Sequence, residues 1–196
     1  MYFGTAAVHP VCRNQGPVTA GESMHTTRWL AAVLSGIMAV LAPGVPASAA
    51  DFRGPYHFQS AYYTNTCADV AYGATNPGAR VQQWTCYDGA AERWRMDPVP
   101  YLVGPTRFYQ VWNLNSRLCL DLPYGDPAKP LQQWRCQPGD QQLWAAELYP
   151  DGKGIRLRNL MANYQCLSVD TAHGAGASLW VRPCQPVNSQ RWLTTS

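Results

Sequence analysis

Hydrophobic and polar positions along this chain alternate with the short period of strands, and proline and glycine break them at close intervals. The pattern is clearest between residues 101 and 150. Phe108-Tyr109-Gln110-Val111-Trp112-Asn113 is aromatic and β-branched, and Leu118-Cys119-Leu120-Asp121-Leu122 alternates. Pro123, Gly125, Pro127 and Pro130 then break the chain before Leu131. Residues 131–136 predict a third strand, Pro138-Gly139-Asp140 a turn, and residues 143–148 a fourth strand. With breakers this frequent no window supports a helix of three turns, although a single turn near Gln141 is compatible. The predicted class is all-β.

The same pattern recurs. Val81-Gln82-Gln83-Trp84-Thr85-Cys86 returns as Leu131-Gln132-Gln133-Trp134-Arg135-Cys136, and in worn form as Leu179-Trp180-Val181-Arg182-Pro183-Cys184. Each copy is followed, eight residues after its cysteine, by another tryptophan: Trp94, Trp144 and Trp192. Three units follow, at about 57–100, 101–150 and 151–196, with residues 51–58 as a lead-in and the first strand expected near Gln59. Four strands per repeat suit a propeller blade, but a propeller needs at least four blades. Three copies must instead close on themselves, each giving strands to a barrel and to a cap, which removes exposed sheet edges. That architecture is a β-trefoil of three homologous repeats with pseudo-threefold symmetry. Trp94, Trp144 and Trp192 are predicted to meet in its core, with each indole N–H bonded to a partner.

Composition narrows the ligand classes. The chain has 196 residues, 46% of them apolar, which is ample for a core. Its formal charge of +3 has no basic run behind it, so neither nucleic acid nor an anionic membrane surface is indicated. Ahead of residue 51, Met24-His25-Thr26-Thr27-Arg28 leads into an apolar run from Trp29 to Ala42, followed by Ala47-Ser48-Ala49-Ala50. This reads as a secretory signal peptide over 24–50, cleaved after Ala49 or Ala50, and the run is shorter than the ~20 residues a bilayer span needs. Residues 1–23 read as an extension from a misassigned start, and 51–196 as the secreted domain.

Seven cysteines fit an oxidising compartment. Cys12 lies in the extension, and the other six formally allow fifteen pairings. Each repeat owns two, so the economical pairing is Cys67–Cys86, Cys119–Cys136 and Cys166–Cys184, and each bridge stabilises its repeat by about 3 kcal/mol on the chain-entropy model. Zinc is disfavoured, because no two cysteines stand at ligand spacing and only His57 and His173 follow residue 50. No cofactor is indicated.

The array of Cys119-Leu120-Asp121, Gln132-Gln133-Trp134-Arg135-Cys136 and Gln142-Leu143-Trp144, with its two counterparts, resembles the ricin B-type lectin domain. That family is a carbohydrate-binding β-trefoil, also common as a module on secreted bacterial glycosidases, and the resemblance covers nearly all of 51–196. It implies bridges within each repeat and one shallow sugar site per repeat. There an aspartate accepts bonds from sugar hydroxyls, an aromatic ring stacks on the pyranose, and an amide pair, usually Asn-Gln, completes the set. The chemistry is sensible by itself, since a pyranose presents C–H groups on one face and vicinal hydroxyls at its rim.

Carried over residue by residue, the second repeat fits best: Asp121 as acceptor, Gln132 as edge donor, Trp134 as platform, and Gln141-Gln142 for the amide pair. The first keeps Asp69, Gln82 and Trp84 but has Ala91-Glu92 where amides are expected, so it is predicted weaker by one hydrogen bond, about 1 kcal/mol. The third has Ser168 for the aspartate, Asp170 two residues later, and Arg182 for the ring; it reads as a scaffold copy, with Trp180 as a displaced platform the alternative. Asp69 and Asp121 also suit turn caps. Trp84 and Trp134 stand three positions from Val81 and Leu131, so they are expected on the opposite, exposed face.

The function indicated is a secreted, non-catalytic lectin for glycans of the galactoside or xylan class, binding mainly at the second repeat and more weakly at the first. A glycosidase needs two carboxylates across the scissile bond. After residue 50 the only glutamates are Glu92 and Glu147, at unlike places in their repeats, and no nucleophile elbow, phosphate loop or zinc-helix motif appears. The other reading is a protein-binding trefoil, such as a protease inhibitor or a toxin's targeting subunit, with decayed sugar sites. Whether Trp134 and Asp121 share one exposed pocket separates the two.

Overall fold

The computed structural model describes residues 52–196. The expected leader, the extension and Cys12 lie outside the described residues. Within them are β1 (Tyr56–Ser60), β2 (Thr66–Val70), β3 (Val81–Thr85), β4 (Arg93–Val103), β5 (Thr106–Asn113), β6 (Cys119–Asp121), β7 (Gln132–Trp134), β8 (Leu143–Leu148), β9 (Ile155–Asn159), β10 (Cys166–Ser168), β11 (Trp180–Arg182) and β12 (Trp192–Thr195). Single 3-10 turns at Ala90–Glu92, Asp140–Gln142 and Asn188–Gln190 stand just before the three core tryptophan strands, the middle one where a turn was expected.

Six strands close a ring. β1 pairs with β4, β4 with β5, β5 with β8, β8 with β9, β9 with β12, and β12 returns to β1, all antiparallel. Closure leaves the barrel no edge to protect. The hairpins β2–β3, β6–β7 and β10–β11 branch from β1, β5 and β9. They meet at the pseudo-threefold axis in a cyclic set of backbone bonds. Val81 N–H donates to Leu131 O (3.0 Å), Leu131 N–H to Leu179 O (2.9 Å), and Leu179 N–H to Val81 O (3.0 Å). The trefoil expected from the repeats is therefore the fold.

Its core is built from equivalent residues. Trp94, Trp144 and Trp192 are buried, and their indole N–H groups donate to the carbonyls of Ala68 (2.8 Å), Leu120 (3.1 Å) and Leu167 (3.1 Å). Each ring thus ties its own barrel strand to its own hairpin, so no buried indole donor is left unpaired. The bridges Cys67–Cys86, Cys119–Cys136 and Cys166–Cys184 form as expected, with Cα separations of 5.2, 5.0 and 5.1 Å.

Two boundaries differ from expectation. β1 begins at Tyr56 rather than near Gln59, because His57 pairs with both Arg93 and Thr195, partners that no local pattern reveals. β4 runs past residue 100 to Val103, so the first repeat ends at the Gly104-Pro105 turn. Pro98 and Pro100 lack an N–H, and the ladder shifts register between Pro98 and Leu102 accordingly.

Candidate functional site

Each hairpin presents one face outward. Across β6–β7, Cys119 faces Trp134 and Asp121 faces Gln132; across β2–β3, Cys67 faces Trp84 and Asp69 faces Gln82. Residues two apart share a face, so each aspartate, its glutamine and its tryptophan are neighbours on one side of their hairpin. Trp84 and Trp134 are 44% and 38% exposed, while Val81 and Leu131 are fully buried on the other side. Asp69, Gln82 and Trp84 line one cavity of about 300 Å3, together with Tyr72, Arg80 and Tyr87.

Both aspartates are nearly buried and held at both oxygens. Asp121 Oδ1 accepts from Gln132 Nε2 (2.8 Å) and Oδ2 from Gln142 Nε2 (3.0 Å). Asp69 Oδ1 accepts from Gln82 Nε2 (3.0 Å) and Oδ2 from the Tyr87 hydroxyl (3.0 Å). A carboxylate has about four acceptor positions, so each keeps capacity for a ligand hydroxyl. Gln82 and Gln132, expected to act at the sugar's edge, each use one amide hydrogen to fix an aspartate. Arg80 in turn donates to Gln82 Oε1 (3.0 Å).

The amide pair divides differently from expectation. Gln142 is fully buried; besides holding Asp121 it donates to Arg135 O (2.9 Å) and accepts from Gln137 N–H (2.9 Å). Gln190 repeats the backbone half of this, accepting from Gln185 N–H (2.7 Å) and donating to Pro183 O (2.9 Å). Gln141 is not bonded to Asp121; its carboxamide folds back over Gly139. Glu92, fully buried, accepts from the N–H groups of Tyr87 and Asp88 and faces His57 Nδ1 at 3.2 Å. A carboxylate cannot donate to Asp69, and Tyr87 supplies the missing donor. The first repeat has therefore not lost a partner for its aspartate. Tyr87 follows Cys86 directly, and the corresponding Gln137 and Gln185 give no hint of its role.

Electrostatics follow from this packing. Burial holds the Asp69 carboxyl above its ordinary range, the bonds from Gln82 and Tyr87 oppose the rise, and the Glu92 charge adds to it. Burial and the Asp69 charge push the Tyr87 phenol up to about 12, so it stays a donor at any physiological pH.

Each site also borrows from the neighbouring repeat. A Cβ added at Gly176 would lie 3.3 Å from Cζ3 of Trp84, and one at Gly78 3.5 Å from Cζ3 of Trp134. A third-repeat loop thus backs the first platform, closely enough at Gly176 that a side chain would crowd Trp84, and a first-repeat loop backs the second at ordinary contact distance. The loops are stitched by buried glutamines that the sequence did not single out. Gln83 Nε2 donates to the carbonyls of Asp170 (3.2 Å), His173 (2.6 Å) and Gly174 (2.9 Å); Gln133 Nε2 donates to Ala74 O (2.8 Å) and Asn76 O (3.0 Å). The third repeat has Val181 at this place. Tyr72 and Tyr124, missed as well, stand three residues after the aspartates with φ of 61° and 56° and are 98% and 93% exposed. Left-handed backbone is rare for a bulky residue, and strain of this kind concentrates at functional sites.

In the third repeat Ser168 faces Trp180 and Cys166 faces Arg182. Ser168 Oγ donates to Cys166 O (2.9 Å), and Asp170 Oδ1 caps its own loop by accepting from the N–H groups of Ala172 (2.9 Å) and His173 (3.2 Å). Elsewhere, His57, Cys67 and Glu92 lie together, but the Cys67 sulfur is in a disulfide and offers no thiolate to a metal. Glu147 is paired with Arg158 (2.5 Å). No described helix is long and apolar enough to cross a membrane.

Among known proteins the likeness is consistent. A ricin-type beta-trefoil lectin domain profile matches residues 107–196, and a ricin-type beta-trefoil lectin domain-like profile matches residues 48–103. No curated protein matches by sequence. Among solved structures, the designed 3-fold symmetric protein ThreeFoil superposes with a TM-score of 0.63 at 20% identity, over 72% of this chain and 97% of its own. A Polyporus squamosus lectin, solved bound to a human-type influenza-binding epitope, gives 0.59 at 18% identity over 74% of this chain and 50% of its own. An exo-β-1,3-galactanase from Clostridium thermocellum gives 0.63 at 18% identity over 74% of this chain and 30% of its own. At such identities the structural likeness is one of fold, and this chain spans half of the lectin and under a third of the galactanase. With the two profiles matching nearly all of the described residues, and three bridged repeats closed about one axis, the chain belongs to the ricin-type β-trefoil lectin family.

Proposed function

We propose that this lectin binds neutral pyranoses at its first and second repeats and acts by binding, without catalysis. The observation that carries the reading is an aspartate pinned at both oxygens beside an exposed tryptophan, built twice from different supporting residues: Asp69 with Trp84, and Asp121 with Trp134. A turn-capping aspartate has no use for this arrangement. The indole takes the apolar face of the ring, and the carboxylate takes two hydroxyls at the rim. Tyr87 removes the reason for ranking the first repeat well below the second, so the two sites are comparable in equipment.

Ligands of the galactoside or xylan class suit such shallow sites, and two sites on one domain gain avidity on a repetitive glycan. The two platforms are backed by different repeats, so both depend on the closed trefoil. The three disulfides support a secreted protein with the leader at 24–50. The test is retention on immobilised galactosides, xylan and a wider glycan panel. Wild type is expected to be retained, and Asp121→Ala combined with Asp69→Ala to abolish retention without changing the urea midpoint by more than the loss of buried bonds explains. Retention by none of the panel, or retention indifferent to both substitutions, sinks the proposal.

A further inference from the structure

The third repeat holds a cavity of about 370 Å3, against about 300 Å3 at the first, and its hairpin sets a guanidinium where the first sets an aromatic platform. We infer that this cavity is a separate site for a carboxylate-bearing sugar, a uronate, held by Arg182 beside Trp180.

The difference comes from two replacements at equivalent hairpin positions. Where the first two repeats set Asp69 and Asp121, the third has neutral Ser168; where they set Trp84 and Trp134, it has the cation Arg182. In the first two repeats a ligand carboxylate would meet the aspartate at this hairpin position, whereas in the third it meets a neutral hydroxyl and the Arg182 guanidinium; Arg80, the cation at the first cavity, is bonded to Gln82. Arg182 is exposed and forms no ion pair among the described residues. Among the described residues its one hydrogen bond is from Nη1 to Val181 O (3.1 Å), which leaves most of its five donors for a ligand. Asp170, the other charged group lining the cavity, is occupied: Oδ1 takes the N–H groups of Ala172 and His173, and Oδ2 lies 3.1 Å from His173 Nδ1. The Asp170 carboxylate is thus turned to the donors of its own loop, while the Arg182 guanidinium keeps its donors for a ligand.

Geometry favours a planar anion on a sugar ring. The Arg182 guanidinium stacks over Trp180, its carbon 4.7 Å from the ring centroid, which fixes the plane of the fork. A fixed guanidinium matches a carboxylate with two parallel hydrogen bonds, where an ammonium would be only a point charge. Trp180 is partly exposed and lines the cavity beneath the guanidinium, so a sugar whose carboxylate meets Arg182 lies against its ring edge. Ser168 Oγ donates to Cys166 O and keeps lone pairs for a ring hydroxyl.

The test is isothermal titration with trigalacturonate, its methyl ester and galactotriose, using wild type, Arg182→Gln and the double variant Asp69→Asn with Asp121→Asn. The expected result is that trigalacturonate binds wild type and the double variant alike, weakens at higher salt, and loses at least tenfold in Arg182→Gln, whose urea midpoint is unchanged. The methyl ester is expected to bind at least tenfold more weakly than the acid. Equal binding of acid and ester, no loss in Arg182→Gln, or loss in the double variant instead would overturn the inference; tighter binding of galactose 6-sulfate would overturn the choice of carboxylate. Because the double variant removes the neutral-sugar sites, failure here and failure of the proposed galactoside or xylan binding are distinguishable.

Discussion

Replacing Tyr87 by phenylalanine tests how the first site manages without an amide. The substitution removes one hydroxyl, leaves the ring, and takes from Asp69 Oδ2 its only described protein donor, at 3.0 Å. A hydrogen bond to a charged group contributes about 1.5–3 kcal/mol when dry. Tyr87 is 53% exposed, so water competes for both partners and the contribution falls to about 1 kcal/mol, roughly fivefold in Kd. The assay is titration of the retained glycan in an Asp121→Ala background, which isolates the first repeat, alongside urea unfolding. Adding Glu92→Gln to Tyr87→Phe places a donor where Gln142 reaches Asp121, and is expected to recover part of the affinity even though it gives up the contact with His57. If Tyr87→Phe leaves the first-site Kd unchanged while Asp69→Ala abolishes it, the hydroxyl does not support the aspartate and the reasoning fails.

Two further outcomes follow from the packing. Because the Asp69 pKa is raised in the fold, the native state holds more protons than the unfolded chain above the ordinary carboxylate pKa, and stability falls as pH rises through that window. Asp69→Asn can keep both bonds, accepting from Gln82 and donating to Tyr87, so it is expected to be at least as stable as wild type at pH 7 while losing first-site affinity; a lower urea midpoint at pH 7 than wild type would count against this. Gln133→Leu strands the carbonyls of Ala74 and Asn76 and the Ser116 hydroxyl, at a cost of about 2 kcal/mol, and loosens the loop carrying Gly78 beneath Trp134. Urea unfolding and second-site titration are both expected to register the change, and an unchanged midpoint would refute the stitching role.

Much of this protein is written locally. The copy count, the three bridges, the four strands of each repeat and the burial of Trp94, Trp144 and Trp192 all follow from spacings within about fifty residues, because strand alternation and short disulfide loops are local properties. The exposure of Trp84 and Trp134 follows likewise from the side-chain period of two. What the sequence left open was which polar group supports which. Gln82 and Gln132 hold aspartates, Gln141 turns away, and Tyr87 does for Asp69 what Gln142 does for Asp121, because a hydrogen-bond partner is chosen by distance in space and either a hydroxyl or an amide serves.

Only the closed trefoil decided the rest. Gly176 meets Trp84, and Gln83 reaches the carbonyls of Asp170, His173 and Gly174, across some ninety residues of chain and a repeat boundary. No periodicity encodes such pairs, since they exist only once the third repeat is brought against the first. The folding of the third copy on itself likewise turns what in sequence is a list of missing residues into a cavity with Arg182 and Trp180 at its wall. Sequence specified the unit and its number; the threefold packing of units fixed what the first two surfaces present, because the Trp84 and Trp134 sites are each built from two of them.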